Sequence, residues 1–569
     1  MRRLAPVLAC VPMLFACSDD DSSRSRRGSG GTSGAAGTAG AAGTAGTGGV
    51  GGVGATGGVG AAGGVGGTGG VGGIAGAAGS AGAAGSAGAA GAAGSAGAAG
   101  SAGAAGTSGA AGTGGTGGVP AVCGDGIVEA DEPCDGDGVG RAGETVTCTE
   151  SCQLRDDAVT PSGWCPSPPG APSLYAGCVF PPAGLAGGGT HVTLAGSGFT
   201  AGTTVRVGGQ AVTVLHQTST QLTFFSPPGP VDTWADIVVE DTSGAESTLT
   251  RSFAFVADDN LVTNTNDTGS GSLRNKIATS GGGAFVTFDR FLAHQTITLS
   301  SAIGVGARTI VGLGARYTVV SGGGSSRVFN FSGNTAELVG LAITGGQASS
   351  GGAIFVNGAT LTLTDCWVRG NSSPTEGGAL YVQNTGAQLN LIRSSFSGNQ
   401  GTHGGAVRLV GPAVSAHVEN CSFNGNTATV GGAAIYSDIP LTVTHSTIVG
   451  NTGSGINCRL AACTVSGSVF AENTGGHLTG VGANSGGYNF VSQTSLVSWL
   501  SSDIVGVGVT LNPELGAFDF AYGPTPVLLP LAGSPLIDVG NPASSLTIDQ
   551  TRNARPVGAR VDIGAVEHR

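Results

Sequence analysis

The sequence predicts an all-β protein whose C-terminal half is a parallel β-helix of stacked coils. A Gly-Gly-Ala phrase followed by alternating apolar residues recurs at intervals of 26, 27 and 27 residues, starting at Gly351, Gly377, Gly404 and Gly431. A second phrase, which leads through an apolar residue to an asparagine, recurs at Cys366–Asn371, Ser394–Asn399, Cys421–Asn426, Ser446–Asn451 and Ser468–Asn473. A fixed period in the twenties with strand-like alternation is typical of β-coils that stack around one continuous core.

The composition limits the partners of this protein. The 569 residues carry a formal net charge of −12, and charged residues make up only 10% of the chain. Nucleic-acid binding needs a basic face, so we expect no nucleic acid as a partner. After residue 20, no apolar run approaches the roughly 20 residues of a membrane-spanning helix.

Residues 1–16 have the pattern of a signal peptide, in which two arginines precede an apolar run. The run ends in Leu14-Phe15-Ala16-Cys17, which resembles the lipobox of bacterial lipoproteins. This resemblance implies cleavage before Cys17, acylation of that cysteine, and anchoring to the outer membrane or the cell surface. The alternative is an ordinary signal peptide, which would give a secreted protein.

A long linker is predicted for residues 17–120. Glycine occupies nearly every third position from about Gly28 to Gly118, but no proline lies between Pro12 and Pro120. A collagen triple helix needs proline-rich positions, so we favour a disordered Gly/Ala-rich tether. A tether of about 90 residues has a root-mean-square reach on the order of 50 Å, which would hold the folded part away from the membrane.

Residues 121–158 are predicted to form a small disulfide module. The spacing of its cysteines resembles the Cys-rich repeat of myxobacterial surface proteins; they are Cys123, Cys134, Cys148 and Cys152. In an exported segment they predict two disulfides with three possible pairings, and a zinc site is the alternative. Calcium could bind to acidic residues of the module, with a solvated acidic loop as the simpler interpretation; these residues are Asp125, Glu129, Asp135 and Asp137.

An Ig-like β-sandwich is predicted for residues 166–257. Its alternation is that of antiparallel strands, and four phrases resemble IPT/TIG domains: Gly187–Leu194, Gly196–Phe199, Val205–Gly209 and Ser226–Gly229. The resemblance implies an immunoglobulin-like fold that serves as a spacer or a binding module, since the fold alone gives no function. A disulfide between Cys165 and Cys178 is predicted at its start.

Residues 258–569 resemble known β-helix proteins at both ends. The opening, Asn264 to Ile277, is similar to that of bacterial right-handed parallel β-helix proteins. The close, Leu529 to Glu567, is similar to the choice-of-anchor Q type. Leu273 and Ile277 predict a short amphipathic helix over the first coil. The resemblance implies a right-handed parallel β-helix with a capping helix and a C-terminal cap, and no particular activity.

Aligning the coils on the asparagine predicts ladders of equivalent residues about 4.8 Å apart. One ladder is apolar and expected in the core: Val368, Phe396, Phe423, Ile448 and Phe470. The asparagine ladder is expected at the coil corners, where asparagine tolerates left-handed backbone; it contains Asn371, Asn399, Asn426, Asn451 and Asn473.

The cysteines of the coils differ in their expected state. Cys366 and Cys421 lie two rungs apart, about 9–10 Å, which exceeds the reach of a disulfide, so both are expected to be free and buried. Cys458 and Cys463 are expected to close a small loop.

Two further ladders contain the candidate site residues. The first stands directly before the Gly-Gly pairs: Ser350, Glu376, His403 and Val430. Glu376 and His403 should therefore lie on adjacent coils as an acid–histidine pair. The second stands five residues further on: Phe355, Tyr381, Arg408 and Ile435.

The second ladder predicts a ligand-binding surface. A core has no place for the charge of Arg408, so this side chain is expected to point outward, and Tyr381 with it. An exposed aromatic residue beside an arginine suits a sugar ring with acidic substituents, which makes Phe355 a candidate as well. The alternative is a surface ion pair without a role.

The sequence favours a binding protein over an enzyme. Polysaccharide-cleaving sites need clustered carboxylates, or carboxylates that hold calcium beside a base. No ladder between Asn334 and Gly480 stacks two carboxylates, and the only catalytic candidates are Glu376 and His403. We therefore expect an anchored, adhesion-like surface protein without a cofactor, whose β-helix binds glycan or a neighbouring cell. The alternatives are a polysaccharide lyase or glycosidase and a purely structural surface component.

Overall fold

The computed structural model describes residues 174–412, 415–494, 497–520 and 523–569, all within one compact unit. The predicted signal peptide, the lipidation at Cys17, the tether, the Cys-rich module with its calcium candidates, and Cys165 lie outside these residues. The described part is nearly all β, with an Ig-like sandwich followed by a parallel β-solenoid. For this part of the chain the predicted fold class is confirmed.

Nine strands form the Ig-like sandwich. In chain order they are β1 (Tyr175–Phe180), β2 (Ala183–Leu185), β3 (His191–Ser197), β4 (Thr204–Val207), β5 (Gln210–Val212), β6 (Val214–Gln217), β7 (Gln221–Phe225), β8 (Thr233–Glu240) and β9 (Glu246–Val256). One sheet has the order β1-β3-β7-β6 and the other β2-β9-β8-β4-β5. Alternate residues face inward and form a core that includes Leu194, Phe224 and Ile237.

The solenoid contains strands β10 to β38 and three short helices. A 3-10 helix at Asp258–Asn260 precedes β10 (Leu261–Val262), the α-helix α1 spans Leu273–Thr279, and a second 3-10 helix spans Arg290–Leu292. The next strands are β11 (Phe285–Phe288), β12 (Thr296–Thr298), β13 (Ile303–Gly304), β14 (Thr309–Val311), β15 (Val319–Ser326), β16 (Phe329–Ser332), β17 (Thr335–Val339) and β18 (Ala342–Gly346).

The repeating coils follow. Their strands are β19 (Ile354–Asn357), β20 (Thr360–Thr364), β21 (Trp367–Arg369), β22 (Leu380–Gln383), β23 (Gln388–Ile392), β24 (Ser395–Ser397), β25 (Gln400–His403), β26 (Val407–Leu409), β27 (Ser415–Glu419) and β28 (Ser422–Asn424). The last coils contain β29 (Thr427–Ser437), β30 (Leu441–Thr444), β31 (Thr447–Val449), β32 (Thr452–Cys458), β33 (Cys463–Ser466), β34 (Val469–Ala471), β35 (Leu478–Thr479), β36 (Ala483–Ser485), β37 (Phe490–Val491) and β38 (Ile504–Val505). An antiparallel pair, β39 (Leu515–Asp519) and β40 (Val527–Pro530), ends the strand order.

Three parallel sheets form the walls of the solenoid. Sheet I has the order β10-β11-β14-β17-β20-β23-β27-β30-β33-β36, and sheet II has the order β12-β15-β18-β21-β24-β28-β31-β34-β37-β38. Sheet III has the order β13-β16-β19-β22-β26-β29-β32-β35, and β25 pairs with β29 beside it. Neighbours in each sheet come from successive coils, so the coils stack in chain order from the Ig-like sandwich outward.

The predicted apolar ladder lies in the core of the solenoid. Its five members pair in register along sheet II and are completely buried. The rings of Phe396 and Phe423 stack with centroids 4.8 Å apart. Because the period of the sequence equals one coil, each apolar position meets its own equivalent in the next coil. The predicted core register is confirmed.

The asparagine ladder lies at a coil corner, as expected, but the reason for its position is different. The left-handed residue is the one directly before each asparagine, with φ of 58° at Gly370, 60° at Gly398 and 57° at Glu472. The asparagine side chains are buried and join one another. Asn399 donates from both its backbone N and its Nδ2 to Asn426 Oδ1, at 3.1 and 3.0 Å. The same double contact repeats from Asn371 to Asn473.

A buried histidine ends this ladder. Asn473 Nδ2 lies 3.3 Å from His477 Nδ1, and His477 Nε2 lies 3.0 Å from Ser492 Oγ. Because Asn473 Nδ2 is a donor, Nδ1 must accept, which assigns the proton to Nε2. Burial lowers the pKa of His477 to about 4.

This histidine predicts a loss of stability in acid. The unfolded state takes up the proton near pH 6.5 and the folded state only near pH 4, so stability falls as the pH falls through this window. The shift corresponds to about 3 kcal/mol of unfolding free energy. Urea unfolding at pH 7 and pH 4.5 should show a smaller acid loss in His477→Gln than in the natural chain. The exposed His216 is the control, and an equal change in His216→Gln would contradict the assignment.

The cysteines of the coils behave as predicted. Cys458 and Cys463 form a disulfide with Cα atoms 5.9 Å apart, and Cys366 and Cys421 are free and completely buried. Cys178 is disulfide-bonded, and its predicted partner Cys165 lies outside the described residues.

Burial makes the two free thiols inert. It raises the pKa of both Cys366 and Cys421 to about 12, so the nucleophilic thiolate is absent at neutral pH. Iodoacetamide should label neither residue in the folded chain and both in denaturant, as read by peptide mass spectrometry. Fast labelling of either thiol without denaturant would contradict the buried ladder position.

Helix α1 covers the first coil as predicted. The side chain of Ser272 caps its N-terminus by accepting from Asn275 N, and Leu273 and Ile277 are buried against the core. At the other end, Trp499 packs near Phe470 in the last coils.

The C-terminal residues 512–520 and 523–569 form a strap along sheet II, where the sequence predicted a cap. Ser395 Oγ donates to Pro526 O at 2.5 Å, and Ser422 Oγ donates to Gln550 Oε1 at 2.6 Å. Further back towards the N-terminus, Arg552 binds Asp365. The C-terminal strap therefore returns from the last coils to the early ones.

The Ig-like sandwich is fixed to the first coils. Arg251 donates to both carboxylate oxygens of Glu337 at 2.9 and 2.7 Å. Asp232 Oδ1 accepts from Phe285 N at 2.8 Å. The sandwich therefore occupies the N-terminal end of the solenoid, and the last coil lies at the opposite end.

Candidate binding face

The predicted site residues lie on the outer side of sheet III and the turn before it. We call this surface the lateral face and define it by two rows of side chains: Phe355, Tyr381, Arg408 and Tyr436, and beside them Ser350, Glu376, His403 and Val430. The second row has the predicted register, because Glu376 bridges to Ser350 on one side and to His403 on the other.

The first row has the predicted register for three members, but its fourth member was wrong. Arg408 pairs with Tyr436, whereas Ile435 pairs with Val407 and is completely buried in the core. This coil has one more residue between its glycine pair and the residue that pairs with Val407, because Ala433-Ala434 stands where the previous coil has only Ala406. A shift of one residue moves a side chain to the other face of the sheet.

Glycine pairs bring the two rows close together. The first glycine of each pair has a positive φ, 62° at Gly377 and 80° at Gly431. A Cβ atom on Gly377 would lie 2.1 Å from the carbonyl oxygen of Leu380, and one on Gly431 would lie 3.0 Å from the ring of Tyr436. The first row therefore packs directly on glycine backbone, which explains the repeated Gly-Gly phrase.

Aromatic rings and guanidinium groups stack along the first row. The rings of Phe355 and Tyr381 are 5.8 Å apart with an interplanar angle of 10°, and the guanidinium of Arg327 lies 4.8 Å from the Phe355 centroid. Arg408 and Arg459 lie 4.4 and 5.9 Å from the Tyr436 centroid. Because protein groups stack on these rings, Phe355 and Tyr381 are only half-exposed.

Arg408 points outward, as predicted, but neighbouring groups cover its side chain. The residue is only 4% exposed. Its NH2 group donates to Asp438 Oδ2 at 2.6 Å, its NH1 group donates to Leu409 O at 2.8 Å, and its guanidinium lies over Tyr436. A buried charge is tolerated when it is paired and hydrogen-bonded, and Asp438 supplies that partner.

Asp438 holds two arginines. Arg459 donates to it from Nε and NH2 at 2.6 and 2.8 Å, while Arg408 binds from the other side. Burial opposes ionisation of this carboxyl, but the hydrogen bonds from Arg459 and Arg408 outweigh it and lower the pKa of Asp438. Asp438 is therefore ionised, and its salt bridges to Arg408 and Arg459 fix this end of the lateral face.

Glu376 and His403 lie on adjacent coils, but within the described residues no hydrogen bond or ion pair joins them. Glu376 Oε2 lies 3.9 Å from Arg408 Nε. The His403 ring stacks on Tyr436 at 5.6 Å. Burial, with the Glu376 carboxylate as the next cause, raises the pKa of Tyr381, so its hydroxyl stays protonated.

Four residues were not predicted from the sequence: Tyr436 of the first row, and Arg327, Asp438 and Arg459, which contact members of that row. Asp438 and Arg459 each stand two residues beyond a member of the outward ladder, Tyr436 and Asn457. Outward residues alternate with period two, so the outward orientation of Asp438 and Arg459 could have been predicted once the inserted alanine was recognised. Arg327 precedes the first clear repeat, where nothing in the sequence aligns it.

Neither a metal-binding cluster nor a membrane-spanning helix is present in the described residues. No group of three or more His, Cys, Asp or Glu side chains among residues 174–412, 415–494, 497–520 and 523–569 is placed to hold a metal ion. None of the helices in that same part of the chain has the length and apolar character needed to cross a membrane.

Comparisons with known proteins match separate parts of this chain. Residues 178–255 match the IPT/TIG domain family, and residues 420–438 match the Chlamydia polymorphic membrane protein repeat. No curated protein matches the chain. A solved structure, the catalytic unit of a thermostable GH87 alpha-1,3-glucanase from Streptomyces thermodiastaticus strain HF3-3, shares 10% identity over 58% of this chain and 88% of its own, with a TM-score of 0.13. A likeness of that size carries no argument. The IPT/TIG match and the β-solenoid of the structure together suggest a surface or adhesion-like protein.

Proposed function

We propose that this chain is a non-catalytic, adhesion-like surface protein whose lateral face binds glycan. The observation that carries the proposal is the double row itself, where Glu376, His403 and the Tyr381 hydroxyl stand beside a glycine floor on a rigid sheet. Sugars need donors and acceptors at fixed places, and groups held by a packed sheet lose little entropy on binding. The half-exposed edges of Phe355 and Tyr381 add apolar contact area.

The use of the solenoid carboxylates supports binding over cleavage. Glu337 binds Arg251, Asp365 binds Arg393 and Arg552, and Asp438 binds Arg408 and Arg459. Carboxylates that hold arginines are not available as a general acid or a nucleophile. On the lateral face Glu376 makes only a 3.9 Å contact with Arg408, and glycoside cleavage needs a second carboxyl group opposite the first.

The N-terminal part of the proposal concerns placement at the cell surface. Acylation at Cys17 and a Gly/Ala-rich tether would anchor the chain in the outer membrane and present the solenoid outward. The Ig-like sandwich would then act as a spacer, because it is fixed to the first coils by Arg251 and Asp232.

A glycan panel tests the lateral face. The full chain should retain acidic or neutral polysaccharide without releasing shorter products, and Tyr381→Ala should weaken retention by about tenfold, a loss of about 1.4 kcal/mol. Tyr488→Ala is the matched control, because Tyr488 is also a half-buried tyrosine but lies between β36 and β37, outside the lateral face.

Three outcomes would decide between the functions. Retention lost in Tyr381→Ala but kept in Tyr488→Ala supports the proposal. Release of products that disappears in Glu376→Gln or His403→Ala would make the protein a polysaccharide lyase or glycosidase. No retention and no products across the panel would leave a structural surface component.

A further inference from the structure

The end of the solenoid opposite the Ig-like sandwich is almost without charge. Residues 473–513 contain one acidic side chain, Asp503, no lysine or arginine, and one histidine, His477. Asp503 is used internally, since it accepts from Ser485 Oγ at 2.7 Å and from Asn489 N at 2.8 Å. His477 is buried and its lowered pKa keeps it neutral. In a chain of net charge −12, two copies can bring this stretch together with little charge repulsion.

The same end exposes aliphatic side chains. Five of the ten large hydrophobic residues exposed in the described chain lie between residues 460 and 509: Leu460, Val481, Leu500, Val507 and Val509. Val481 is 92% exposed and Val507 is 77% exposed. Single exposed hydrophobics are ordinary, but their concentration at one end of a protein marks an interaction surface.

Unpaired strand edges lie beside these side chains. Strands β36, β38 and β35 are the last members of sheets I, II and III. Val481 follows β35 directly by two residues, and Val507 and Val509 follow β38. Within the described residues no further strand pairs with these edges, and an edge of this kind is a template for another chain.

We propose that this distal end, residues 473–494 and 497–511, binds the same end of a second copy of the chain. A two-fold contact places the same surface of each copy against the other. An uncharged aliphatic surface permits this contact, and strand edges from the two copies can lie antiparallel to each other. Residues 473–494 and 497–511 supply no lysine or arginine for an acidic glycan or nucleic acid, and Arg560 of the C-terminal strap already lies over the Tyr488 ring, so a protein surface is the fitting partner.

The contact does not depend on the proposed lateral face. It lies at the end of the rod, whereas the glycan would bind along the side, so either proposal can fail alone. Because the Ig-like sandwich lies at the other end of the solenoid, end-to-end pairing would place the two sandwiches at the far ends of a double-length rod. Two copies on facing cells could then join through their tips.

Analytical ultracentrifugation of the full chain tests the pairing. The natural chain should show a monomer–dimer equilibrium that high salt does not weaken, because the contact is apolar. Val507→Glu and Val481→Glu should each raise the dimer dissociation constant by at least about tenfold, since every substitution occurs twice in a two-fold contact. Both sites are exposed, so folding is not at stake. Val231→Glu and Val557→Glu are matched controls at exposed valines elsewhere, and they should leave the dimer intact.

Each other outcome would overturn the inference. A monomer at every concentration removes the self-contact. A dimer that breaks in Val231→Glu or Val557→Glu and survives Val507→Glu places the contact elsewhere. Flotation of a monomeric chain with phosphatidylcholine vesicles, lost in Val507→Glu, would make the distal end a lipid-binding surface instead. Tyr381→Ala should leave the dimer unchanged, whatever it does to glycan retention.

Discussion

Asn426→Ala should lower the unfolding free energy by about 4 kcal/mol or more, because three buried groups lose their partners at once. The backbone N and the Nδ2 of Asn399 both donate to Asn426 Oδ1, and Asn426 Nδ2 donates to Phe396 O at 3.0 Å. Urea unfolding at pH 7 measures the loss.

Asn390→Ala is the control for this prediction. Asn390 lies in a middle coil as well, but on the half-exposed outer side of sheet I, with a single side-chain contact to Thr362 at 3.3 Å. This substitution should change stability by less than about 0.5 kcal/mol. Similar losses in both variants would show that the asparagine ladder contributes no more than any outward asparagine.

Arg555→Met should cost about 3–5 kcal/mol, since it leaves the carboxylate of Glu567 buried without a counter-charge. The side chains of Arg555 and Glu567 are 0% and 1% exposed, and Arg555 Nε donates to Glu567 Oε1 at 2.6 Å. Arg555 also donates to Asn420 Oδ1 at 2.9 Å, which ties the C-terminal strap to the solenoid. Limited proteolysis read by mass spectrometry should therefore show earlier cleavage within residues 512–569.

The double variant Arg555→Met with Glu567→Gln separates charge from packing. Removing both charges should recover a large part of the loss, because neither partner is then left ionised in the core. Arg206→Met is the surface control: Arg206 pairs with Glu240 and Glu246 where the side chain is 36% exposed, so the cost should stay below about 1 kcal/mol. No recovery in the double variant would mean that the aliphatic part of Arg555, and not its charge, supports the strap.

The repeats could be predicted from the sequence because a solenoid maps chain period directly onto space. Each residue of one coil lies beside its equivalent in the next coil. One alignment on Asn371 to Asn473 therefore predicts the Phe396–Phe423 stack, the two free thiols and the adjacency of Glu376 and His403. The same logic failed where a coil gained one residue. The extra alanine before Ile435 left the spacing of the Gly-Gly phrase intact and moved Tyr436 into the outward row.

Contacts without a period could not be predicted in this way. The burial of Arg408 depends on Asp438, which belongs to the next coil, and on a ring that the alignment had placed wrongly. The return of the C-terminal strap depends on pairs such as Arg552 with Asp365, which are 187 residues apart. A local pattern contains no information about such partners, and the general rule that charged residues face solvent gives the wrong answer when the partner is buried too.

The C-terminal strap makes the order of synthesis matter. Residues of the C-terminal strap bind residues of early coils, and Tyr175 donates to Asn553 across almost the whole described chain. Coils can stack one after another as they emerge, but these closing contacts form only after the final segment has arrived, and closing so long a loop is slow. The early coils therefore gain their final partners only after the C-terminal strap has been made, and truncation within residues 523–569 should weaken these early coils.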